Sequence, residues 1–207
     1  DAKATDVTID PHVIVLHYTG GGSAKSTRAY FDNLKIETER KQLVKAGAVN
    51  VSSHYVVDRD GTIYRLQPET RFARHCIGLN HIAIGVENVG DGEKYPLTDA
   101  QVAANVALVR YLAARFPIRV LVGHNESDRL EGTRYFVERE GGYRDDKPDP
   151  GAAFMAKVRA TAVLSMNPIT KQAKASDTSS SASCAENRGI AGQGRPGGTS
   201  WATSTPR

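Results

Sequence analysis

The stretch TDAQVAANVALVRYLAARFPIRVLVGH (98–124) holds a helix and a strand in immediate succession. Thr98 and Gln101 have capping-box spacing, and Val102, Val106, Val109 and Leu112 recur at helical intervals. Pro117 cannot continue the helix, and IRVLVGH (118–124) then reads as a short β-branched strand. Outward from this unit the elements keep alternating in type. HVIVLHY (12–18) reads as a buried strand, the GGGS after it as a turn, and Ser23 or Ser26 as the cap of a helix reaching about residue 35. HYVVDRDGTIYRL (54–66) reads as a hairpin turned at Asp60-Gly61, and HIAIGVENV (81–89) as a further strand. A polar loop follows over roughly 125–150, then a closing helix over 151–165. Strands interleaved with helices imply an α/β domain, a central mixed β-sheet flanked by helices.

Composition bounds the rest. With 40% hydrophobic and 24% charged residues among 207, the chain can build one core of ordinary size with residues to spare. Past Met166 the composition turns to Ser, Thr, Gly, Ala and Pro, as in SDTSSSAS and GQGRPGGTS. Such a stretch buries too little apolar surface to offset the entropy of ordering it. The expected division is therefore a domain over 1–166 and a flexible tail over 167–207. No run of 18 apolar residues is present, so no integral membrane helix is expected. A formal charge of +4 favours polyanions in general, but no nucleic-acid-binding motif accompanies it, and no nucleic acid partner is expected. Two cysteines, Cys76 and Cys184, are too few for a zinc ribbon or a disulfide scaffold. The chain opens at Asp1 with no basic-then-apolar leader, which leaves a removed signal peptide and a trimmed end as equal readings.

Three residues carry the chemistry. His17 and His124 each close an apolar strand, and Asp149 sits in KPDPG at the end of the long loop. A strand end holds an imidazole rigidly with its tip towards a cleft, and the prolines on both sides of Asp149 stiffen the backbone that presents the carboxylate. Two histidines and a carboxylate, with water in the fourth place, form one type of catalytic zinc site. The spacing alone leaves ordinary structural roles open for all three.

Five segments in order, LHYTG (16–20), SSHYVVDRDGTIYRL (52–66), HCIGLNHIAIGVEN (75–88), VGHNE (122–126) and KPDPG (147–151), resemble the amidase-2 family. That family groups bacterial N-acetylmuramoyl-L-alanine amidases with animal peptidoglycan recognition proteins and a phage lysozyme-like amidase. The resemblance covers about residues 11–160 and implies a zinc cleft at the strand ends, with His17, His124 and Asp149 as ligands. It further implies that Glu87 handles the attacking water and that Lys147 stabilises the oxyanion. His75, Arg74 and Asn80 are expected to contact substrate. Relatives carry a tyrosine before the hairpin's His-aromatic pair and a tryptophan before the cleft histidine, and this chain has Ser53 and Arg74 there. His54 is expected to bond within the hairpin rather than bind metal.

The function implied is zinc-dependent hydrolysis of the amide between N-acetylmuramic acid and L-alanine, in peptidoglycan or in muropeptides. A recognition module that binds peptidoglycan without cutting it is the alternative. The absence of HExxH argues against the common zinc protease arrangement. The expected setting is periplasmic, cell-envelope or secreted, with cytoplasmic muropeptide recycling as the other reading, and the chain is expected to act as a monomer.

Overall fold

The computed structural model describes residues 7–138 and 147–162. The tail expected over 167–207, and part of the loop expected over 125–150, lie outside the described residues. In chain order the elements are β1 (Val13–Tyr18), α1 (Ala24–Phe31), α2 (Lys41–Lys45), β2 (Tyr55–Val57), β3 (Ile63–Arg65), β4 (Ala83–Asn88), α3 (Asp99–Arg115), β5 (Val120–Gly123) and α4 (Ala152–Ala162), with a 3-10 helix at His124–Leu130 after β5. They form one five-stranded sheet in the order β3-β2-β4-β1-β5. The sheet is mixed: β1 runs parallel to β4 and β5, β2 runs parallel to β4, and β2 and β3 make the antiparallel hairpin at the edge.

Strand alternation sorts the side chains onto two faces. Ile14 and Leu16 of β1, Ile84 and Val86 of β4 and Leu121 of β5 pack with Val109 and Leu112 of α3 and Met155 and Val158 of α4. Val13 and Val15 pack on the opposite face with Cys76, Leu79, Val122 and Leu130. By the same alternation His17 lies on the Val15 face, away from the two long helices. Helix α1 covers the β2 end of that second face, where Ala24 meets Val56 and Val89. Among the described residues no helix is long and apolar enough to cross a membrane.

The capping box expected at Thr98 is present: Gln101 N–H donates to Thr98 Oγ1 at 3.1 Å, and Thr98 N–H donates to Gln101 Oε1 at 2.9 Å. Ser23, rather than Ser26, is the cap of α1, which stops at Phe31, short of the expected residue 35. The inner stripe of α3 differs from an all-apolar one, because Gln101 and Asn105 are fully buried. Gln101 Nε2 donates to the carbonyls of Val57 and Val89, at the ends of β2 and β4. Asn105 Nδ2 donates to Asn88 Oδ1, and Asn88 Nδ2 donates in turn to the His17 carbonyl at 3.0 Å. A line of amides thus runs from α3 to the end of β1, satisfying groups that would otherwise be costly to bury.

Leu112 is fully buried between α3 and the sheet. Leu112→Ala is expected to lower the unfolding free energy by about 2–5 kcal/mol in urea titration, the range for a large core side chain truncated where neighbours relax only partly. A change under about 0.5 kcal/mol would show that this helix face does not set the stability of the fold.

Candidate metal centre

Parallel pairing brings the carboxyl ends of β1, β4 and β5 to one edge, and the candidate residues collect there. His17 Nδ1 lies 3.1 Å from His124 Nδ1 and 3.2 Å from Asp149 Oδ2, and His124 Nδ1 lies 3.3 Å from the same Oδ2. All three side chains are buried. Each Nδ1 carries at most one proton, so three such contacts share two protons at best, and at least one edge of the triangle sets lone pair against lone pair or N–H against N–H. A cation within reach of all three atoms removes that conflict. Zinc with nitrogen or oxygen ligands at about 2.0–2.1 Å and tetrahedral angles sets neighbouring donors about 3.3–3.4 Å apart, close to the edges observed. Asp149 Oδ1, also buried, has no hydrogen-bond partner. The donor set therefore fits a zinc ion.

The protonation states agree with that fit. Burial lowers His17 to about 4, against the opposing pull of its contact with Asp149, so the imidazole is neutral at ordinary pH. Burial works against the Asp149 carboxylate, yet the imidazoles of His124 and His17 beside it outweigh burial and hold that carboxyl well below the usual range. Neutral imidazoles and an ionised carboxylate are the forms that bind metal.

Several contacts hold the three candidate ligands in place. Asn125 N–H donates to the Asp149 carbonyl at 2.9 Å, tying the ligand-bearing turn to the 3-10 helix. Glu126 accepts from Gly123 N–H at 2.9 Å and pairs with Arg159 of α4, which fixes the chain on both sides of His124. Gly123 permits the close packing: a Cβ there would lie 2.5 Å from Asn125 Oδ1 and 2.8 Å from Pro150 Cδ.

Glu87 pairs with His17 across β1 and β4. Both line one cleft with Lys147, His124 and Asp149. Its Oε2 is buried without a hydrogen-bond partner. Burial first, and then the charge of Asp149, push the Glu87 carboxyl up to about 8, with Lys147 acting in the opposite direction. Lys147 thus stands near enough to act on Glu87, and it also acts on His17.

The three residues expected at the substrate are placed differently from one another. His75 lies against the ligand set, its Nδ1 3.1 Å from His17 Nε2. Arg74 directs its guanidinium to the carbonyls of Gly47, Val49 and Leu43, shaping the segment that walls the cleft. Asn80 Oδ1 accepts the amide protons of His75 and Cys76, each at 2.8 Å. Ser53 is buried, with its hydroxyl on the Tyr55 carbonyl. His54 bonds to backbone on both sides, accepting from Gly85 N–H and donating to the Arg71 carbonyl. Sequence reasoning missed Gly85 and Glu126 as parts of this framework. A lone glycine inside the apolar run of β4 was the available signal for Gly85, since it marks a close approach; no local pattern marks Glu126.

Comparison with known proteins places this geometry in context. Residues 8–152 match the family described as N-acetylmuramoyl-L-alanine amidase. The endolysin of Escherichia phage T7 is 31% identical over 99 residues, a stretch covering 45% of this chain and 66% of the phage protein, slightly under two thirds. AmpD, solved as a selenomethionine derivative, superposes with a TM-score of 0.50 at 25% identity, over 73% of this chain and 84% of that one. The Ph2119 endolysin of a Thermus scotoductus bacteriophage shares the fold at a TM-score of 0.50 and 22% identity, over 75% of this chain and 91% of its own.

The state of Glu87 has a measurable consequence. Its proton is held up to a pH of about 8 in the folded chain, against 4.5 ordinarily, so the folded chain carries the extra proton between those values. Its contribution to stability is therefore whole below 4.5 and is lost as pH rises towards 8. In chelator-treated protein, Glu87→Gln should reduce the fall of the thermal midpoint across this window. Equal pH slopes for the variant and the wild type would refute the assignment.

Proposed function

Since the chain belongs to the N-acetylmuramoyl-L-alanine amidase family, matched over residues 8–152, we propose that it hydrolyses the amide between N-acetylmuramic acid and L-alanine with the help of zinc. The observation that carries this reading is the buried triangle of His17, His124 and Asp149 at the floor of a cleft that also holds Glu87 and Lys147. A zinc ion held by the three ligands supplies Lewis acidity, lowering the pKa of water from 15.7 to about 7 and polarising a carbonyl.

The chain's own groups divide the remaining work. The ionised form of Glu87, which a cation in the triangle would favour by offsetting the Asp149 charge, takes a proton from the attacking water and passes it to the leaving nitrogen. The C–N bond breaks, the muramic acid side keeps the water oxygen as a carboxyl group, and that group's remaining proton passes to the departing L-alanine amine, leaving a carboxylate and an ammonium. Lys147 faces the negative charge that develops on the carbonyl oxygen; a donor so placed is worth about 2.7–4 kcal/mol in other acyl-transfer sites. The walls formed by residues 42–52 and 71–81 receive the rest of the muropeptide. The chain acts as a monomer on peptidoglycan or its soluble fragments. Wall fragments outside the cytoplasm are the first candidate substrates, and recycled muropeptides inside it are the second.

The purified protein is expected to release free stem peptide from muropeptides containing N-acetylmuramoyl-L-alanine, as identified by mass spectrometry. Release should stop with a zinc chelator and return with Zn²⁺. Intact substrate that nonetheless binds would make the chain a recognition module. Glu87→Ala should lower kcat by about 10²–10⁴-fold while zinc content stays near one per chain. Lys147→Ala should lower it by about 10²–10³-fold. Turnover near wild type in either variant would remove that residue from the mechanism.

A further inference from the structure

Both ring nitrogens of His75 are engaged, and the order of protons between its partners has one solution. Nε2 lies 3.3 Å from the Ala83 carbonyl, which can only accept, so Nε2 carries the hydrogen. The Nδ1 of a neutral ring is then bare and accepts. Its partner at 3.1 Å is His17 Nε2, which must therefore be the protonated nitrogen of that ring. A neutral imidazole protonated on Nε2 has its lone pair on Nδ1, and Nδ1 is the atom of His17 that meets His124 and Asp149. The run from Ala83 through His75 to His17 thus leaves a lone pair aimed into the triangle.

The backbone is shaped to hold His75 in this place. Its ring stands edge-on to that of His17, with centroids 5.2 Å apart. It lies on Gly85, where a Cβ would come within 2.7–2.9 Å of Cγ, Cδ2 and Nδ1 of the ring. Gly85 pairs with Val15, two residues before the Glu87 and His17 pair, so the space left by its missing side chain opens directly beneath the ligand. Asn80 fixes the turn that carries His75 by accepting its amide proton. His54, the other ring nearby, has both nitrogens on backbone groups and does not compete for His75 Nδ1.

We propose that His75 is a positioning residue for the metal, setting the tautomer and ring angle of His17 through a hydrogen bond accepted at Nδ1, with Gly85 as the cradle that admits its ring. The proposal rests on the zinc reading of the site and deepens it. Groups in this position orient the ligand and raise its basicity, and their loss commonly weakens metal affinity by about 10–100-fold.

The test measures the zinc Kd by competition with a chromophoric chelator, alongside circular dichroism to verify folding. His75→Ala and Gly85→Ala should each raise the Kd by about 10–100-fold. His75→Asn, whose Oδ1 replaces Nδ1 as the acceptor, should restore most of the affinity lost in His75→Ala. In the zinc-loaded wild type, imidazole ¹⁵N shifts should show His75 and His17 each protonated on Nε2. A folded His75→Ala protein that binds zinc as tightly as the wild type overturns the proposal, as does an asparagine variant no better than alanine, or His75 protonated on Nδ1. A wild-type protein that binds no zinc overturns the zinc reading itself, and the proposal with it.

Discussion

Two imidazole nitrogens and a carboxylate oxygen are held within 3.3 Å of one another, and without a cation at least one of their three contacts joins no donor to an acceptor, a conflict the fold must bear. Much of the surrounding structure answers this demand. β1 is locked between two parallel neighbours, with His17 in the ladder to β4 and directly after the last residue of the ladder to β5. Its carbonyl is held from the helix side by Asn88, which Asn105 holds in turn. His124 is braced by the Glu126 and Arg159 pair, and the turn bearing Asp149 is fastened to Asn125. Each ligand thus comes from a different part of the chain, with its own anchor outside the triangle. Preorganisation of this kind moves the cost of assembling a metal site from the binding step to the folding step.

The same enclosure gives neighbouring carboxyls opposite characters. Asp149 has two imidazoles beside it and stays ionised although it is buried. Glu87, one strand away, has a buried oxygen without a donor and feels the negative charge of Asp149, so it retains its proton. One group is fitted to hold a cation and the other to carry a proton, and the difference comes from placement on the sheet rather than from residue type.

The parts of this design that depend on local spacing could be read from the sequence. The apolar runs of β1, β4 and β5, the Asp60-Gly61 turn and the capping box at Thr98 announce themselves within a few residues, and the structure has each of them. The gathering of His17, His124 and Asp149 was legible through the order of five motifs, since no spacing along the chain says which strand ends will meet. Other features depend on register and packing between distant segments. Gln101 and Asn105 look like interruptions of an apolar helix stripe until the strand-end carbonyls facing Gln101 and the Asn88 side chain facing Asn105 are known. His75 reads as a cleft residue until the β1 and β4 register sets Gly85 beneath its ring. The short helix α2 has neither a side-chain cap nor a buried residue, and so leaves no pattern to detect.

Arg74 offers a last consequence. It grips the cleft wall by the carbonyls of Leu43, Gly47 and Val49, groups that every amino acid supplies. The side chains of Leu43 and Val49 can therefore be exchanged without loosening the fastening, whereas Gly47, at φ +134°, must remain glycine. Variation there would change the shape and charge of the cleft wall while the triangle of His17, His124 and Asp149 stays intact. The molecule is in this sense modular, and a library built over residues 42–46 would vary the wall upon a fixed engine.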